Sequence, residues 1–350
     1  MMFDRMGALS EEELNRLHSA TMEILGDVGI AFRDSEALEI FKKHGVKVDG
    51  EKVFLTEGQI TKALSTVPAQ FAISARDPKK SVVIGGDNPV FTPGYGPVFM
   101  ITKTGDMRRP VMEDYNNLCK LVQTSKYIDV NGCLMVDPSD VSPESAHLDM
   151  LFSNIVLCDK PFLGSTASRQ AARESIEMAG IGWGGLNNIK NKPVMISVIT
   201  PVSPLQYSGE QAGALIEYSR HGQVILIGLL MMAGSTGPVT LSGLMALQNA
   251  ETLAAVVLAQ LVNSGVPVIY GGTSSITDMK TGSLSIGAPE MSMIQHMQVQ
   301  MAKFYGIPSR GSGGISDAHF PDMQAGIESA LALSTTIRSG ANFILHACGI

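Results

Sequence analysis

From residue 89 onward the chain repeats one pattern. A short apolar, β-branched run is followed by a helical stretch, at intervals of roughly 30 to 40 residues. The runs centre on Phe91 with 98–101, then 129–136, 161–165, 194–199, 224–229, 267–270, 307–310 and 342–346. Helices are predicted over 112–126, 143–157, 168–181, 208–221, 241–263, 288–304 and 322–338. Runs such as VMISVI and VILIG are apolar without alternation, as strands buried on both faces of a parallel sheet must be. Eight such units predict an α/β fold, a TIM-type (β/α)8 barrel over 89–350. A doubly wound open sheet is the alternative. No helix is read after the last strand, so the barrel is expected to lack its C-terminal closing part.

Residues 1–88 read as a separate N-terminal helical and short-strand segment. Ser10-Glu11-Glu12-Glu13 is a capping box ahead of an apolar helical stripe. A second helix follows over Ser35–His44, then a hairpin around Asp49-Gly50, a third helix from Thr56, and short strands at 71–75 and 81–84.

Composition narrows the function classes. A formal net charge of −7 argues against a nucleic-acid surface. Met1-Met2-Phe3-Asp4-Arg5 leads into an acidic helix start, not a signal peptide. The apolar stretch 241–263 is interrupted by Gln248, Asn249, Glu251 and Gln260, so a buried helix is expected there and no membrane span. Four scattered cysteines make no CxxC pair, which fits reduced thiols in a cytoplasmic protein. The apolar composition suggests buried contacts in a homo-oligomer.

In a TIM barrel the strand C-termini share one face, where the chemistry sits. On that face lie four aromatics, Tyr95, Phe99, Tyr270 and Phe320, any of which is also ordinary packing. The loop after the sixth strand carries Asp278 and, further on, Glu290. These are metal-ligand candidates whose plainer roles are loop bracing and helix capping. The stretch PSRGSGGISDAHFPDMQAG at 308–326 brings Arg310, Gly311, Gly313, Gly314, Asp317, His319 and Phe320 together, with Asp322 placed as a helix cap. Its glycines let backbone and ligand approach closely. His346 and His319 are the titratable candidates on this face. The remaining histidines fall in or at the ends of helices. No metalloprotease, nucleophile-elbow or phosphate-loop signature occurs.

Four long blocks, LHSATMEILGDVGIAF, FTPGYGPVF, YGGTSSITDMKTGSLSIGAPE and SDAHFPDMQAGIESAL, resemble the trimethylamine methyltransferase superfamily. The resemblance runs through essentially the whole chain and is to the branch that lacks pyrrolysine. Ordinary residues fill 311–316, the region corresponding to that amino acid. It implies methyl transfer from a quaternary amine, glycine betaine being the best-known type, to Co(I) of a corrinoid (cobalamin) on a cognate partner protein. Proline betaine and carnitine are the alternative substrates. It further implies no resident metal and no protein acid or base as catalytic residue. On this view Tyr95, Phe99, Tyr270 and Phe320 form a cation cage. Arg310, His346 or the backbone at Gly313 holds the carboxylate, and Asp278 and Asp317 give support. A metal-dependent barrel lyase using Asp278, Glu290 or Asp317, and a non-catalytic betaine-binding protein, are the competing readings.

Overall fold

A computed structural model describes residues 5–102 and 104–348. Its centre is a ring of eight parallel staves, seven strands and the bridged segment β2: β1 (Val90–Phe91), β2 (129–131), β3 (Phe162–Gly164), β4 (Met195–Ile199), β5 (Val224–Leu229), β6 (Val268–Gly272), β7 (Arg310–Ser312) and β8 (Phe343–Leu345). Ladders join β3 through β6 in sequence order, and β7 to β8 to β1. Two seams hang on single bridges, Asn131 with Phe162 and Tyr270 with Ser309. The last gap, between β1 and β2, closes through the Asp129 N–H donating to the Phe91 carbonyl at 2.8 Å. The Asp129 carboxylate accepts the Phe91 N–H at 2.9 Å, replacing the missing ladder partner. The ring thus consists of two laddered arcs, joined by single bridges and the Asp129–Phe91 hydrogen bonds, with β8 against β1. The first and second staves are shorter than the sequence suggests. Residues 100–101 leave the barrel to pair with Met107–Arg108 in a hairpin over the mouth.

Strand parity sorts the side chains. Val90, Leu163, Ile196, Val198, Leu226, Ile269, Phe343 and Leu345 fill the interior. Ile73 and Ile84, from the antiparallel pair Gln70–Ile73 and Val82–Gly85, plug its N-terminal end. The opposite end is left to loops.

The segment ahead of β1, expected as a separate unit, shares one apolar core with the outer helices. Leu17, Phe32, Phe41 and Ile60 pack into the same cluster as Leu253 and Val257. The Ser10–Glu13 capping box forms as read. The strand Ile30–Phe32 takes Gln206–Tyr207, from the loop after β4, as a parallel neighbour. Arg169 then bonds Asp34 at 2.8 Å, Glu36 at 2.5 Å and Glu217 at 3.0 Å, pinning this segment to two barrel helices. The helix Leu241–Val262 has the length and hydropathy of a membrane span. It lies between β5 and β6 on one side and the N-terminal helices on the other, which is why nearly every residue on it is buried.

Buried Glu251 on that helix accepts the Leu205 N–H at 2.7 Å and the Ser203 hydroxyl at 2.8 Å. Burial pushes its carboxyl up to about 7. The folded state thus keeps a proton that the unfolded chain loses near pH 4.5, so stability is greatest below that pH and declines as pH rises through 7. Denaturant melts at pH 5 and pH 8 are expected to differ by about 1–3 kcal/mol from this group. Glu251→Gln should remove most of that difference.

Candidate functional site

The loops after β1 to β4 enclose a cavity of about 510 Å³ at the C-terminal end of the barrel. Tyr95, Cys133, Ser165, Thr166, Val198 and Thr200 line its inner part. Gln211, from the helix Gly209–Arg220, stitches two strand ends together. Its Oε1 accepts the Thr200 N–H at 2.8 Å and its Nε2 donates to the Thr166 carbonyl at 2.9 Å. The Thr166 hydroxyl donates to the Val198 carbonyl at 2.8 Å. Burial raises the Tyr95 phenol so that it stays neutral.

Next to Val198 two neighbouring strands carry tightly packed glycines. A Cβ on Gly228 would lie 2.9 Å from Val198 Cγ1. Gly228 is the ladder partner of Gly271. Gly271 has φ 143° and a Cβ there would meet the Arg310 carbonyl oxygen at 2.6 Å, so no side chain fits. Packed on Gly271 lies Arg310, only 2% exposed. Among the described residues its guanidinium makes no ion pair, and its buried Nε has no hydrogen-bond partner. Burial alone pushes its pKa down to about 9.

His346 follows β8 with φ 64°, a left-handed conformation rare outside glycine. Its Nδ1 accepts the Tyr95 N–H at 3.2 Å, which assigns the ring proton to Nε2. Burial first, and then the Arg310 charge, hold the imidazole well below its ordinary pKa. It is neutral at pH 7. The innermost site thus has a guanidinium, an imidazole Nε2–H and a neutral phenol, with no carboxylate paired to the guanidinium among the described residues.

The four-aromatic cage does not assemble. Tyr95 lines the cavity. Tyr270 points the other way, through the sheet to helix Leu241–Val262, where its hydroxyl donates to Asn249 Oδ1 at 2.9 Å. Phe99 is 49% exposed, and its neighbour Val98 takes the place on the cavity wall. Phe320 is 55% exposed and packs toward Gly105 of the mouth hairpin. Gly313 offers no free N–H either, since it donates to the Leu345 carbonyl at 2.7 Å; the Gly314 N–H likewise donates to the His346 carbonyl at 2.8 Å. These glycines admit a neighbouring backbone: a Cβ on Gly313 would sit 2.5 Å from the His346 carbonyl oxygen.

Asp278 accepts from the Lys280 N–H and the Thr281 hydroxyl, both at 2.9 Å, and closes a turn. Asp317 accepts the N–H groups of Ile286 and Gly287 at 2.9 Å each, fixing the entry to helix Pro289–Phe304. Asp322 caps helix Met323–Ser339. Among the described residues no three His, Cys, Asp or Glu side chains gather in metal-binding geometry. Gln211 was not singled out from sequence, and Thr166, Gly228 and Gly271 were legible only as strand ends without a role. The available signals were hydroxyl residues closing the third strand and isolated glycines inside apolar runs.

A closed parallel barrel with polar groups converging at its strand C-termini defines a TIM-barrel enzyme scaffold. Two solved structures share the fold at 13% identity, each aligned over 98% of this chain and 71% of theirs. They are the hydroxylamine complex of MtmB at TM-score 0.66 and the monomethylamine methyltransferase of Methanosarcina barkeri at 0.64. The family model for trimethylamine methyltransferase (MTTB) matches residues 2–350, and the chain belongs to that family. It is 45% identical to a glycine betaine methyltransferase of Desulfitobacterium hafniense strain Y51, over 98% of this chain and 71% of the relative. It is 34% identical to the proline betaine:corrinoid methyltransferase of Eubacterium limosum, over 98% and 72%.

The outward placement of Tyr270 has a direct check. Tyr270→Phe should cost about 1–2 kcal/mol in denaturant melts, through the orphaned Asn249 amide oxygen. Betaine affinity measured by calorimetry should be unchanged.

Proposed function

We propose that the protein takes one methyl group from glycine betaine and passes it to Co(I) of a corrinoid carried by a partner protein, leaving dimethylglycine. One observation carries the choice of substrate within the family: the buried Arg310 guanidinium with no anion against it among the described residues. Trimethylamine has no anionic end to offer it. A betaine does, and a charge-assisted bidentate bond to a carboxylate is what a guanidinium fork favours. The neutral His346 Nε2–H is a second donor for the same carboxylate.

Seating the carboxylate on Arg310 orients the substrate. The anionic end points inward to Arg310 and His346, and the trimethylammonium faces the cavity beside Tyr95. One aromatic face attracts such a cation by about 0.5–2 kcal/mol. Tyr95 stays useful for this because its phenol is neutral and its backbone is held by His346. The cavity takes a betaine and leaves no room for a corrinoid ring beside it, so the acceptor approaches from the open face. The partner's reduced corrinoid would supply the nucleophile that takes the methyl carbon. The bonding pair of the broken C–N bond returns to nitrogen, the leaving amine is neutral, and no proton moves. The protein's share is orientation and exclusion of water. Asp278 and Asp317 act at a distance, as braces of the mouth loops. Cys119, Cys133 and Cys158, buried and unpaired, suit a reducing cytoplasm.

Proline betaine and carnitine share the carboxylate and are the second reading, supported by the proline betaine relative. The test is methyl transfer to a purified, reduced corrinoid protein across a panel of betaines and trimethylamine. Glycine betaine should be consumed and trimethylamine left intact. Arg310→Gln should lower kcat/KM by about a hundred-fold. A wild-type protein that binds betaines but leaves all of them methylated sinks the reading in favour of a binding protein.

A further inference from the structure

We propose that Tyr115 and Asn154, which lie behind the cavity wall, are positioning residues for Tyr95. They fix the end of β2, and the loop that carries Tyr95 hangs on that end. The link itself rests on hydrogen bonds; its effect on ligand affinity rests on the betaine reading above.

The β2 segment is held less by ladder bonds than any other stave. One isolated bridge joins it to β3, and the bonds at Asp129 join it to β1. Just beyond it, the buried carbonyls of Gly132 and Cys133 accept no backbone N–H among the described residues. A buried carbonyl without a donor is costly. Two side chains from the flanking helices supply the donors. Tyr115, on helix Met112–Thr124, donates its hydroxyl to the Cys133 carbonyl at 2.5 Å. Asn154, on helix Ala146–Leu157, donates Nδ2 to the Gly132 carbonyl at 2.9 Å and to the Tyr115 oxygen at 2.8 Å. Its Oδ1 accepts from Asn131 Nδ2, and the Asn131 Oδ1 accepts the Gly132 N–H at 3.1 Å. All three side chains are buried, and burial keeps the Tyr115 phenol protonated as a donor. A buried network whose members satisfy one another is rigid and specifies one arrangement.

The next residues carry that arrangement to the cavity. The Leu134 carbonyl accepts the Gly96 N–H at 2.8 Å, and the Asp137 N–H donates to the Pro97 carbonyl at 3.1 Å. These two bonds seat 96–97 on the strand end, directly after Tyr95. Cys133, whose carbonyl Tyr115 holds, lines the cavity together with Tyr95. His346 holds the Tyr95 N–H from the other side. The Tyr95 loop thus has two supports, and one of them begins at a phenol and an amide outside the cavity.

The test variant is Tyr115→Phe, which removes one hydroxyl and keeps the ring. Tyr207→Phe is the control. It removes a buried phenol bond to the Glu251 carbonyl at 3.0 Å, away from the cavity wall. In ligand-free protein, hydrogen exchange at the Gly96 and Asp137 amides should quicken about ten-fold in Tyr115→Phe and stay unchanged in Tyr207→Phe. By calorimetry, glycine betaine should bind about three- to ten-fold more weakly to Tyr115→Phe, within the range that one aromatic face supplies. In a Tyr95→Leu background Tyr115→Phe should cost nothing further, because the ring it places is gone. Asn154→Ala should give the same pattern and serves if Tyr115→Phe fails to fold. Unchanged exchange at Gly96 and Asp137, or an equal loss of affinity with and without the Tyr95 ring, overturns the positioning role. Quickened exchange in Tyr115→Phe, combined with a wild type that binds no glycine betaine, keeps the role and overturns the betaine reading instead.

Discussion

A guanidinium inside an apolar barrel, with no carboxylate set against it among the described residues, is the constraint on which this site depends. Proteins rarely bury arginine unless it is paired. Here the sheet places Arg310 on an inward position of β7, between Gly271 of β6 and Phe343 of β8. Neither neighbour can neutralise it. The cost is carried by the rest of the fold: the closed ring, the Ile73–Ile84 plug beneath, and a helical layer whose core continues into the N-terminal segment. A stable scaffold lets one residue remain unsatisfied until a ligand arrives, which is a common way for a binding site to gain selectivity.

The electrostatics around Arg310 are consistent with this. Its charge helps keep His346 neutral, and the neutral ring can then accept the Tyr95 N–H at Nδ1. That bond ties the loop after β1 to the end of β8 across the mouth. Gln211 does the same between the ends of β3 and β4. Positioning is thus divided among backbone-directed hydrogen bonds. None of these groups needs to exchange a proton for a reaction whose leaving group is a neutral amine.

The sequence made the fold legible because the strand–helix alternation is strong and the helix caps are explicit. Helix ends fell within a few residues of those read, and the parallel sheet followed from runs without alternation. That same lack of alternation concealed parity. In Val268–Gly272 both faces are buried, so nothing in the sequence says that Ile269 points in and Tyr270 out, and the aromatic was placed in the mouth. Gly313 misled for a related reason. A glycine marks close approach, but only the fold shows that the approaching group is the His346 backbone and not a ligand. Arg310 was legible as a lone charge at a strand end, and Tyr95 and His346 as polar groups near strand ends. The stitching by Gln211 depends on a helix register that no local pattern reveals.

Choline carries the same trimethylammonium group as glycine betaine, with a neutral hydroxyl in place of the carboxylate. Calorimetric titration of the wild-type protein with the two ligands tests the central claim most directly. If Arg310 selects the substrate, glycine betaine binds at least about a hundred-fold more tightly than choline, a difference of about 2.7 kcal/mol. Equal affinities would mean that the cationic head alone is recognised, and would contradict the account.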